Sequence, residues 1–591
     1  MADKIAVLDF GSQYTHLLAR RVRELHVFSE IFPSDILIER LKGVKGIILS
    51  GGPSSVYEKE SPKPDSRLFS LNIPILGLCY GHQLLAELLS GKVTPGNVKE
   101  YGLAELKIKN KKDLFSGLDE RETVWMSHGD FVEKMPKGFE IIGSTHDCKI
   151  AAMTNGIFFG LQFHPEVTHT PKGMKILENF AIKICKCKRE WTMQDFIEKK
   201  IEEIKAFAKN KNVFLLVSGG VDSTVCFSLL VKALGEGRVY GLFIDNGFMR
   251  KNETAMVKKL LSRFKNFHVY DASKEFLEEV NCIINPEEKR KIIGNKFIEV
   301  ANNAIKKLKL EHDKWILGQG TIYPDTIESG GTKHADVIKT HHNRIGAVRD
   351  LIKEGKIIEP ISQLYKDEVR GLGLELGLPD SLVFRHPFPG PGLAIRCLCS
   401  DGKEKIQNKD KLEEEINKQT GNLKAIILPV KSVGVQGDSR TYRHPVALVG
   451  KSEWKTLENI STRVTNEFRK INRVVYLIAP DDIPDFNLKK KFLTKERLDL
   501  LREADYIAMK EIEKAGLMKK IWQMPTVLIP FGLNGESIVL RPVFSKEVMT
   551  LKFADIDFRI VKKIAEKIMK LGVDAVFYDI THKPPATLEW E

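Results

Sequence analysis

The sequence has little cysteine for its length and no long apolar run. Eight cysteines in 591 residues are too few for a disulfide framework. The close pairs Cys185/Cys187 and Cys397/Cys399 lack the C-x₂₋₄-C spacing and partner histidines of a structural zinc site. No apolar stretch approaches the ~18 residues of a membrane helix, and the first residues lack the apolar core of a signal peptide. We therefore expect a cytoplasmic protein that binds neither a membrane nor a structural metal.

The sequence also lacks a concentrated basic segment, although its formal net charge is +14. Its longest basic runs are triplets such as Lys289–Lys291 and Lys489–Lys491. Nucleic-acid-binding domains usually gather Lys and Arg on one face, so scattered charge favours anionic small substrates and no nucleic acid. With 42% hydrophobic and 29% charged residues the composition is that of a globular protein. The length predicts about three or four domains.

A glycine-rich turn follows the apolar, strand-like run 213–217 and precedes the helix-compatible run 225–234. The turn consists of Ser218, Gly219, Gly220, Val221, Asp222, Ser223 and Thr224. A strand, a glycine turn and a helix N-terminus together present backbone N–H groups to an anion. The turn contains no lysine and is not a Walker A loop. It resembles the phosphate loop (PP-loop) of ATP pyrophosphatases, which implies cleavage of ATP between its α- and β-phosphates; a plain capped turn is the alternative.

A candidate nucleophile, Cys79, lies between two glycines at the end of the predicted strand 73–78. The pattern G-x-C-x-G has the form of a nucleophile elbow, in which a tight turn exposes the reactive side chain. Further along, His164 and Glu166 lie two residues apart in an extended segment, so their side chains share one face. A base beside an orienting carboxylate can activate a thiol. The alternatives are a buried inert thiol and a simple His-Pro turn.

Together with Ser50–Pro53, these segments resemble the class I glutamine amidotransferases over residues 4–185. The resemblance implies that Cys79 attacks the side-chain amide of glutamine and that ammonia is released through a glutamyl thioester. The residues that it assigns are the nucleophile Cys79, the proton-transferring His164, the orienting Glu166, the oxyanion-hole N–H groups of Gly52 and Tyr80, and the glutamine-binding Gln83 and loop Ser127–Asp130.

The region after residue 400 contains an internal repeat. Ile427–Pro429 recurs as Leu528–Pro530, and Arg473–Tyr476 recurs as Ala575–Tyr578. Each copy has the pattern of strands around one helix, with a charged helical stretch over 481–520 between the copies. We therefore predict a duplicated unit at about 421–480 and 521–591.

The whole pattern predicts an α/β protein of three domains. Strands that alternate with helices indicate two doubly wound parallel-sheet domains. The first is an amidotransferase domain over 1–190 and the second a PP-loop ATP pyrophosphatase domain over 191–400. An α+β C-terminal domain over 401–591, which contains the duplicated unit, is predicted to bind substrate and to support dimerisation.

This order of segments, with the terminal stretch KPPATLEWE, resembles the glutamine-hydrolysing GMP synthetases over the whole chain. The resemblance implies a ligase that adenylates XMP with Mg²⁺-bound ATP and then aminates it to GMP, releasing AMP and pyrophosphate. Its partners would be glutamine, ATP and XMP, and the sequence is compatible with a homodimer or a monomer. The residues implied are Ser218–Thr224 for ATP, Asp222 for Mg²⁺, Arg290, Asp438, Arg440, Gln523, Lys583 and Glu589 for XMP, and Lys339 and His341 in a lid loop.

Two other classes of function fit parts of the sequence. A PP-loop enzyme that modifies tRNA would suit the positive charge, but it leaves the amidotransferase segment unexplained. A regulatory binding protein on a degenerate synthetase scaffold would not need the reactive residues, whereas Cys79, His164, Glu166 and Asp222 are all present. An assay of GMP formation distinguishes both classes from a synthetase.

Overall fold

The computed structural model describes residues 3–12, 14–262, 264–307, 314–323, 325, 356–436, 439–545 and 551–591. The chain folds into two compact units. The first contains the described residues up to Lys200, with Ile322, Tyr323, Asp325 and the segment Gln363–Glu368, and the second contains the rest of the described chain. A search of the described residues finds no helix long and apolar enough to span a bilayer.

Helices account for much of both units. Numbered along the chain they are α1 Thr15–Glu24, α2 Tyr80–Leu88, α3 Gly173–Glu178, α4 Met193–Ala208, α5 Val221–Leu234, α6 Glu253–Leu261, α7 Ser273–Glu279, α8 Pro286–Lys307, α9 Lys366–Glu375, α10 Asp380–Val383, α11 Lys409–Asn417, α12 Trp454–Glu467, α13 Lys495–Lys514 and α14 Phe558–Met569. Short 3₁₀ turns occur at Ile38–Leu41, Ser66–Ser70, Asp113–Phe115, Glu236–Arg238 and Gly392–Ile395, and a π-helical turn at Asn179–Ile184.

The first unit is built on a nine-stranded mixed sheet. Its strands are β1 Lys4–Asp9, β2 Phe28–Pro33, β3 Val44–Leu49, β4 Ile75–Leu78, β5 Lys92–Ile108, β6 Arg121–Lys134, β7 Glu140–Ser144, β8 Ala152–Thr154 and β9 Phe158–Leu161. Strands β2-β1-β3-β4-β9 pair in parallel, and β8, β7, β5 and β6 extend the sheet by antiparallel pairing. The predicted parallel sheet therefore covers only part of this unit, because short connections favour antiparallel pairing where no crossover helix intervenes.

Both faces of this sheet are covered by apolar side chains. Along β1, Ile5 and Val7 belong to one buried cluster while Ala6 and Leu8 belong to another. Successive residues of a strand point to opposite faces, so the continuous apolar run of β1 is what a sheet buried on both sides requires. The carboxyl ends of β3 and β4, where Ser50 and Cys79 follow, form one edge of this layered core.

The second unit contains an all-parallel five-stranded sheet in the order β12-β11-β10-β13-β14. Its strands are β10 Asn212–Leu216, β11 Val239–Asp245, β12 Phe267–Asp271, β13 Trp315–Gly318 and β14 Ile357–Ile358. The predicted strand over 239–245 is present with the predicted bounds. Helix α5 begins at Val221, four residues before the predicted apolar run, because the carbonyl of Gly220 already accepts the N–H of Thr224.

A third, seven-stranded sheet lies in the C-terminal part of the second unit. Its strands and the short neighbouring ones are β15 Ser400–Asp401, β16 Lys424–Ile427, β17 Ser432–Gln436, β18 Ser439–Val449, β19 Ile471–Ala479, β20 Asn487–Leu488, β21 Lys490–Lys491, β22 Thr526–Ile529, β23 Phe531–Gly532, β24 Ser537–Leu540, β25 Val543–Phe544, β26 Lys552–Phe553 and β27 Ala575–Asp579. The order is β16-β18-β19-β27-β24-β22, with β17 paired to β18. Helix α13 covers only the later part of the stretch predicted as helical over 481–520, since β20 and β21 precede it.

Candidate functional site: an amidotransferase centre and a phosphate-binding loop

Cys79 lies in a strained turn between β4 and α2. Its φ is +50°, an uncommon value for a residue with a side chain, and its thiol is only 7% exposed. A Cβ on Gly77 would lie 2.3 Å from the carbonyl oxygen of Gly81, and one on Gly81 would lie 2.4 Å from that of Leu49. Both flanking glycines are therefore sterically required, which accounts for the G-x-C-x-G pattern.

The side chain of His164 lies between those of Cys79 and Glu166 and contacts both. His164 Nδ1 lies 2.8 Å from Glu166 Oε1, and the imidazole also hydrogen-bonds to Cys79. Thr170 Oγ1 donates to the carbonyl of His164 at 2.7 Å, which fixes the backbone on which the ring is carried. Burial by itself would lower the pKa of His164, but Glu166 and Cys79 outweigh it and raise that pKa well above its usual value. The ring is therefore held as a proton carrier beside the thiol.

The predicted glutamine-binding groups surround this triad. Gln83 Nε2 donates to the carbonyl oxygen of Asp130 at 2.8 Å, and Cys79 Sγ lies 3.4 Å from the carbonyl oxygen of Ser127. A Cβ on Gly52 would lie 3.3 Å from Tyr80 Cγ and 2.6 Å from a backbone oxygen, so these two predicted oxyanion-hole residues are neighbours. The segment Ser127–Asp130, predicted as a loop, lies within strand β6, where a bulge interrupts its pairing with β5, and it contacts both Cys79 and Gln83.

The PP-loop has the predicted strand, turn and helix arrangement. Gly219 has φ +76°, and Gly220 precedes the first residue of α5. The hydroxyl groups of Ser218 and Ser223 lie 3.0 Å apart, and Thr224 Oγ1 donates to the carbonyl of Gly220 at 2.8 Å. These hydroxyl groups line the helix N-terminus, where backbone N–H groups and the helix dipole favour a phosphate.

Asp222 is a carboxylate in the first turn of α5. A Cβ on Gly320, in the turn after β13, would lie only 3.0 Å from Cα of Ser223, so a second backbone segment packs closely against this helix start. Mg²⁺ in nucleotide sites is usually held by one or two carboxylates together with substrate phosphates. The single carboxylate beside the phosphate-binding turn fits that pattern, and no cluster of three or more metal-ligating side chains occurs among the residues described.

Two of the predicted XMP-binding residues, Glu589 in the terminal loop and Arg290 on α8, are held by contacts of the terminal loop, the first through an ion pair and the second through a hydrogen bond. Arg396 binds Glu589 in a bidentate pair of 2.9 and 2.7 Å, and Arg290 donates to the backbone oxygen of Glu591. Burial favours the neutral acid, but Arg396 and then Arg290 hold the pKa of Glu589 below its usual value. The guanidinium of Arg396 also lies 5.1 Å from the ring centre of Phe388.

Gln523 lies in the same neighbourhood, since its Nε2 donates to the carbonyl of Pro387 at 2.9 Å, one residue before Phe388. Lys583 pairs through its backbone with Leu551 in an isolated bridge, which places its chain segment beside the strand β26. Only the backbone of Arg440, opposite Val435 in the β17–β18 hairpin, is described. Asp438, Lys339 and His341 lie outside the described residues.

A buried ionic cluster, which the sequence did not predict, fixes the terminal loop. Asp579 accepts Arg473 Nη1 and Arg541 Nη1 at 2.8 Å each, and all three side chains are fully buried. Arg473 also donates to the backbone oxygen of Glu589 at 2.6 Å, and Trp590 Nε1 donates to Asp579 at 3.0 Å. The contacting residues lie up to 116 positions apart, so no local pattern could have identified them. One feature of the sequence did indicate Arg396, namely its position in a Pro/Gly-rich stretch.

Three protein families match consecutive parts of the chain. The class I glutamine amidotransferase family matches residues 6–184, the NAD synthase family matches 191–295, and the GMP synthase C-terminal domain matches 409–483 and 510–590. The first match contains the Cys79 centre and the second contains the PP-loop.

Similar proteins extend over the whole chain. A probable glutamine-hydrolysing GMP synthase of Leptospira interrogans is 48% identical and covers 100% of this chain and 99% of its own. GMP synthase of Dictyostelium discoideum is 39% identical over 100% of this chain and 94% of its own, and that of Brachyspira hyodysenteriae is 44% identical over 81% and 97%. Among solved structures, a putative GMP synthase subunit of Thermoplasma acidophilum is 33% identical over 32% of this chain and 95% of its own, with a TM-score of 0.30.

The triad on its mixed sheet and the PP-loop on its parallel sheet define a glutamine amidotransferase joined to an ATP-using synthetase domain. More particularly, the chain belongs to the glutamine-hydrolysing GMP synthases. This confirms the family, and with it the class of ligase, that the sequence motifs predicted.

Proposed function

We propose that the chain makes GMP at two coupled sites, with ammonia formed at Cys79 and consumed at a nucleotide site beside the PP-loop. The observation that carries the proposal is the hydrogen-bonded set of Cys79, His164 and Glu166 in a chain that also contains a phosphate-binding turn. The substrates are glutamine, ATP and XMP, without a nucleic acid or membrane partner. The cytoplasm is the proposed location, and the eight free cysteines are compatible with it.

At the first site Cys79 attacks the side-chain amide of glutamine. His164 takes the thiol proton and gives it to the leaving ammonia, while Glu166 holds the imidazole in place. Backbone N–H groups of Gly52 and Tyr80 stabilise the oxyanion that forms. Water then hydrolyses the glutamyl thioester, and Gln83 with the loop Ser127–Asp130 orients the substrate.

At the second site the turn Ser218–Thr224 binds the β- and γ-phosphates of ATP. The C2 oxygen of XMP attacks the α-phosphorus, pyrophosphate leaves, and ammonia then displaces AMP from the adenylated nucleotide. The residues that we assign to XMP are Arg290, Asp438, Arg440, Gln523, Lys583 and Glu589, with Lys339 and His341 contacting the adenylyl group from a lid. Asp222 and the phosphates would hold Mg²⁺, which would supply positive charge to the departing pyrophosphate. The ion pairs around Glu589 support this placement of the nucleotide.

We further propose three domains, 1–190, 191–400 and 401–591, and a duplicated unit within the last. The strand pairing supports the duplication. β16 pairs antiparallel with β18, which pairs parallel with β19, and β22, β24 and β27 repeat that arrangement. The two copies meet through the antiparallel pair β19–β27. This junction forms within one chain and needs no second subunit. We therefore propose that the enzyme is either a homodimer or a monomer.

An assay of GMP formation tests the proposal. GMP should require XMP, ATP and either glutamine or an ammonium salt. Because ammonia is useful only when adenylated XMP is present, glutaminase activity should be slow alone and faster with XMP and ATP. Equal glutaminase rates with and without the two nucleotides would contradict the coupling, and no GMP from any combination would contradict the function.

A further inference from the structure

Glu100 of β5 and His128 of β6 form a carboxylate–imidazole pair. His128 belongs to the proposed glutamine-binding segment Ser127–Asp130, and neither residue is part of the catalytic triad. The two residues face each other directly across β5 and β6. His128 Nε2 lies 3.2 Å from Glu100 Oε2, and the imidazole side chain is only 6% exposed. Thr145 Oγ1 donates to Glu100 at 3.1 Å, so the carboxylate is fixed from a second side.

Both ring nitrogens of His128 face hydrogen-bond acceptors. Nε2 faces the Glu100 carboxylate, and Nδ1 lies 2.9 Å from the carbonyl oxygen of Asp130. A neutral imidazole has one donor and one acceptor nitrogen, so it can satisfy only one of these contacts. An imidazolium donates to both at once, and a buried cation needs a partner such as the Glu100 carboxylate.

Two titratable groups that interact with the pair are kept uncharged by burial. Burial lowers the pKa of His82 to about 3, which leaves its ring neutral. Burial, with a smaller contribution from Glu100, raises the pKa of Cys148 to about 12. The carboxylate of Asp130 accepts hydrogen bonds from the hydroxyl groups of Ser55 at 2.5 Å and Tyr57 at 3.0 Å.

The segment Ser127–Asp130 needs support from side chains because the backbone pairing of β5 with β6 is interrupted beside it. Pro95 pairs with Asp130 and Glu100 pairs with His128, so β5 advances five residues where β6 advances two. A regular ladder cannot hold the backbone through this bulge. The carbonyl of Asp130 is fixed instead by two side chains, His128 and Gln83.

We infer that Glu100 and His128 form a positioning pair, in which a doubly donating imidazolium sets the Ser127–Asp130 loop for binding of glutamine. The inference rests on the proposed glutaminase site. Glutamine binding then requires a proton on each ring nitrogen of His128, and neither proton is transferred during catalysis.

The test uses the full chain with Cys79→Ala, which binds glutamine without turning it over. Titration calorimetry should give a glutamine dissociation constant about tenfold higher when Glu100→Gln is added, and a comparable loss for His128→Asn. Glu105→Gln is the matched control, since Glu105 lies on the same strand, is exposed, and pairs with exposed Arg121; it should leave the constant unchanged.

Two further readouts separate positioning from folding. Ammonium-dependent GMP formation by the Glu100→Gln protein should equal that of its parent. In the otherwise unchanged ¹⁵N-histidine-labelled protein at neutral pH, the His128 resonances, identified by their loss in His128→Asn, should show both ring nitrogens protonated. A Cys79→Ala protein that binds no glutamine would overturn the proposed site itself. Unchanged glutamine affinity in Glu100→Gln, or a neutral His128 ring, would overturn the positioning pair alone.

Discussion

The amidotransferase centre and the nucleotide site hold their reactive groups in different ways. In the first, Cys79, His164 and Glu166 bind directly to one another and are almost completely buried. In the second, Arg396 is paired with Glu589 and Lys289 with Glu591, carboxylates that belong to the terminal loop. The reacting groups contact each other at one site, whereas cations and carboxylates neutralise each other at the other.

The difference follows from the chemistry of the substrates. Glutamine presents a neutral amide, so the enzyme must bring its own nucleophile and base in fixed geometry. A nucleotide brings negative charge, and cations buried without partners would be costly before it binds. We propose that carboxylates such as Glu589 keep arginines such as Arg396 in place until the nucleotide binds. Substitutions at each site should show whether the two sites can be disabled separately.

The largest effect should separate the two sites completely. Cys79→Ala removes the nucleophile, so glutamine-dependent GMP formation should fall by about 10⁴-fold or more. GMP formation from ammonium chloride should keep its parental rate, because the nucleotide site is untouched. The two rates are measured in parallel by chromatography of GMP. Cys282→Ala changes an exposed cysteine and should lower neither rate. Full glutamine-dependent activity of Cys79→Ala would show that the triad is wrongly assigned.

Asp222→Ala should instead disable both routes to GMP. Loss of the carboxylate at the start of α5 removes the proposed Mg²⁺ contact, and we expect about 10³-fold slower synthesis from glutamine and from ammonium alike. Pyrophosphate release reports the same step. Asp410→Ala also removes a first-turn carboxylate, from the exposed start of α11, and serves as the control. A defect confined to the glutamine route would contradict the role of Asp222.

Glu166→Gln should slow the glutaminase while leaving its nucleophile present. We expect a decrease in kcat of about 10²-fold, because the imidazole loses its orienting charge. Glu166 raises the pKa of His164, so its removal lowers that pKa. His164 takes the thiol proton only when its imidazole is neutral, which is the case above its pKa, so the acid limb of the pH–rate profile should move to lower pH.

The measurement is a glutaminase profile in the presence of XMP and ATP. Glu178→Gln, which changes a partly exposed carboxylate paired with Lys175 in the same unit, should keep the parental profile. An unshifted acid limb in Glu166→Gln would show that Glu166 does not control the titration of His164.

Glu589→Gln should have the smallest effect of the four and should act on the nucleotide alone. The change leaves Arg396 buried with a neutral partner, and we expect the KM for XMP to rise by about tenfold. Glutaminase activity measured without nucleotides should not change. Glu414→Gln, at an exposed pair with Lys418, provides the control. A change in basal glutaminase activity would show that Glu589 affects the glutaminase site as well as the proposed XMP site.

Much of the catalytic site could be predicted from sequence because its geometry is local. The two-residue spacing of His164 and Glu166 sets their common face, and the glycines around Cys79 are required by contacts at 2.3 and 2.4 Å. The start of α5 was predicted too late, because the apolar pattern begins after the turn residues that already form its first helical turn. The antiparallel half of the first sheet was also missed, since pairing direction depends on connections outside each strand.

The sequence by itself determined the chemistry: a thiol elbow, a base with its carboxylate, and a glycine turn before a helix. Each is encoded within a few residues, where backbone geometry and side-chain spacing act directly. Only the tertiary structure decided how these groups are supported. The cluster of Arg473, Asp579 and Arg541, and the pair of Glu100 and His128, join residues that are distant along the chain. Such contacts depend on which faces pack together in the fold, and no local pattern records that choice.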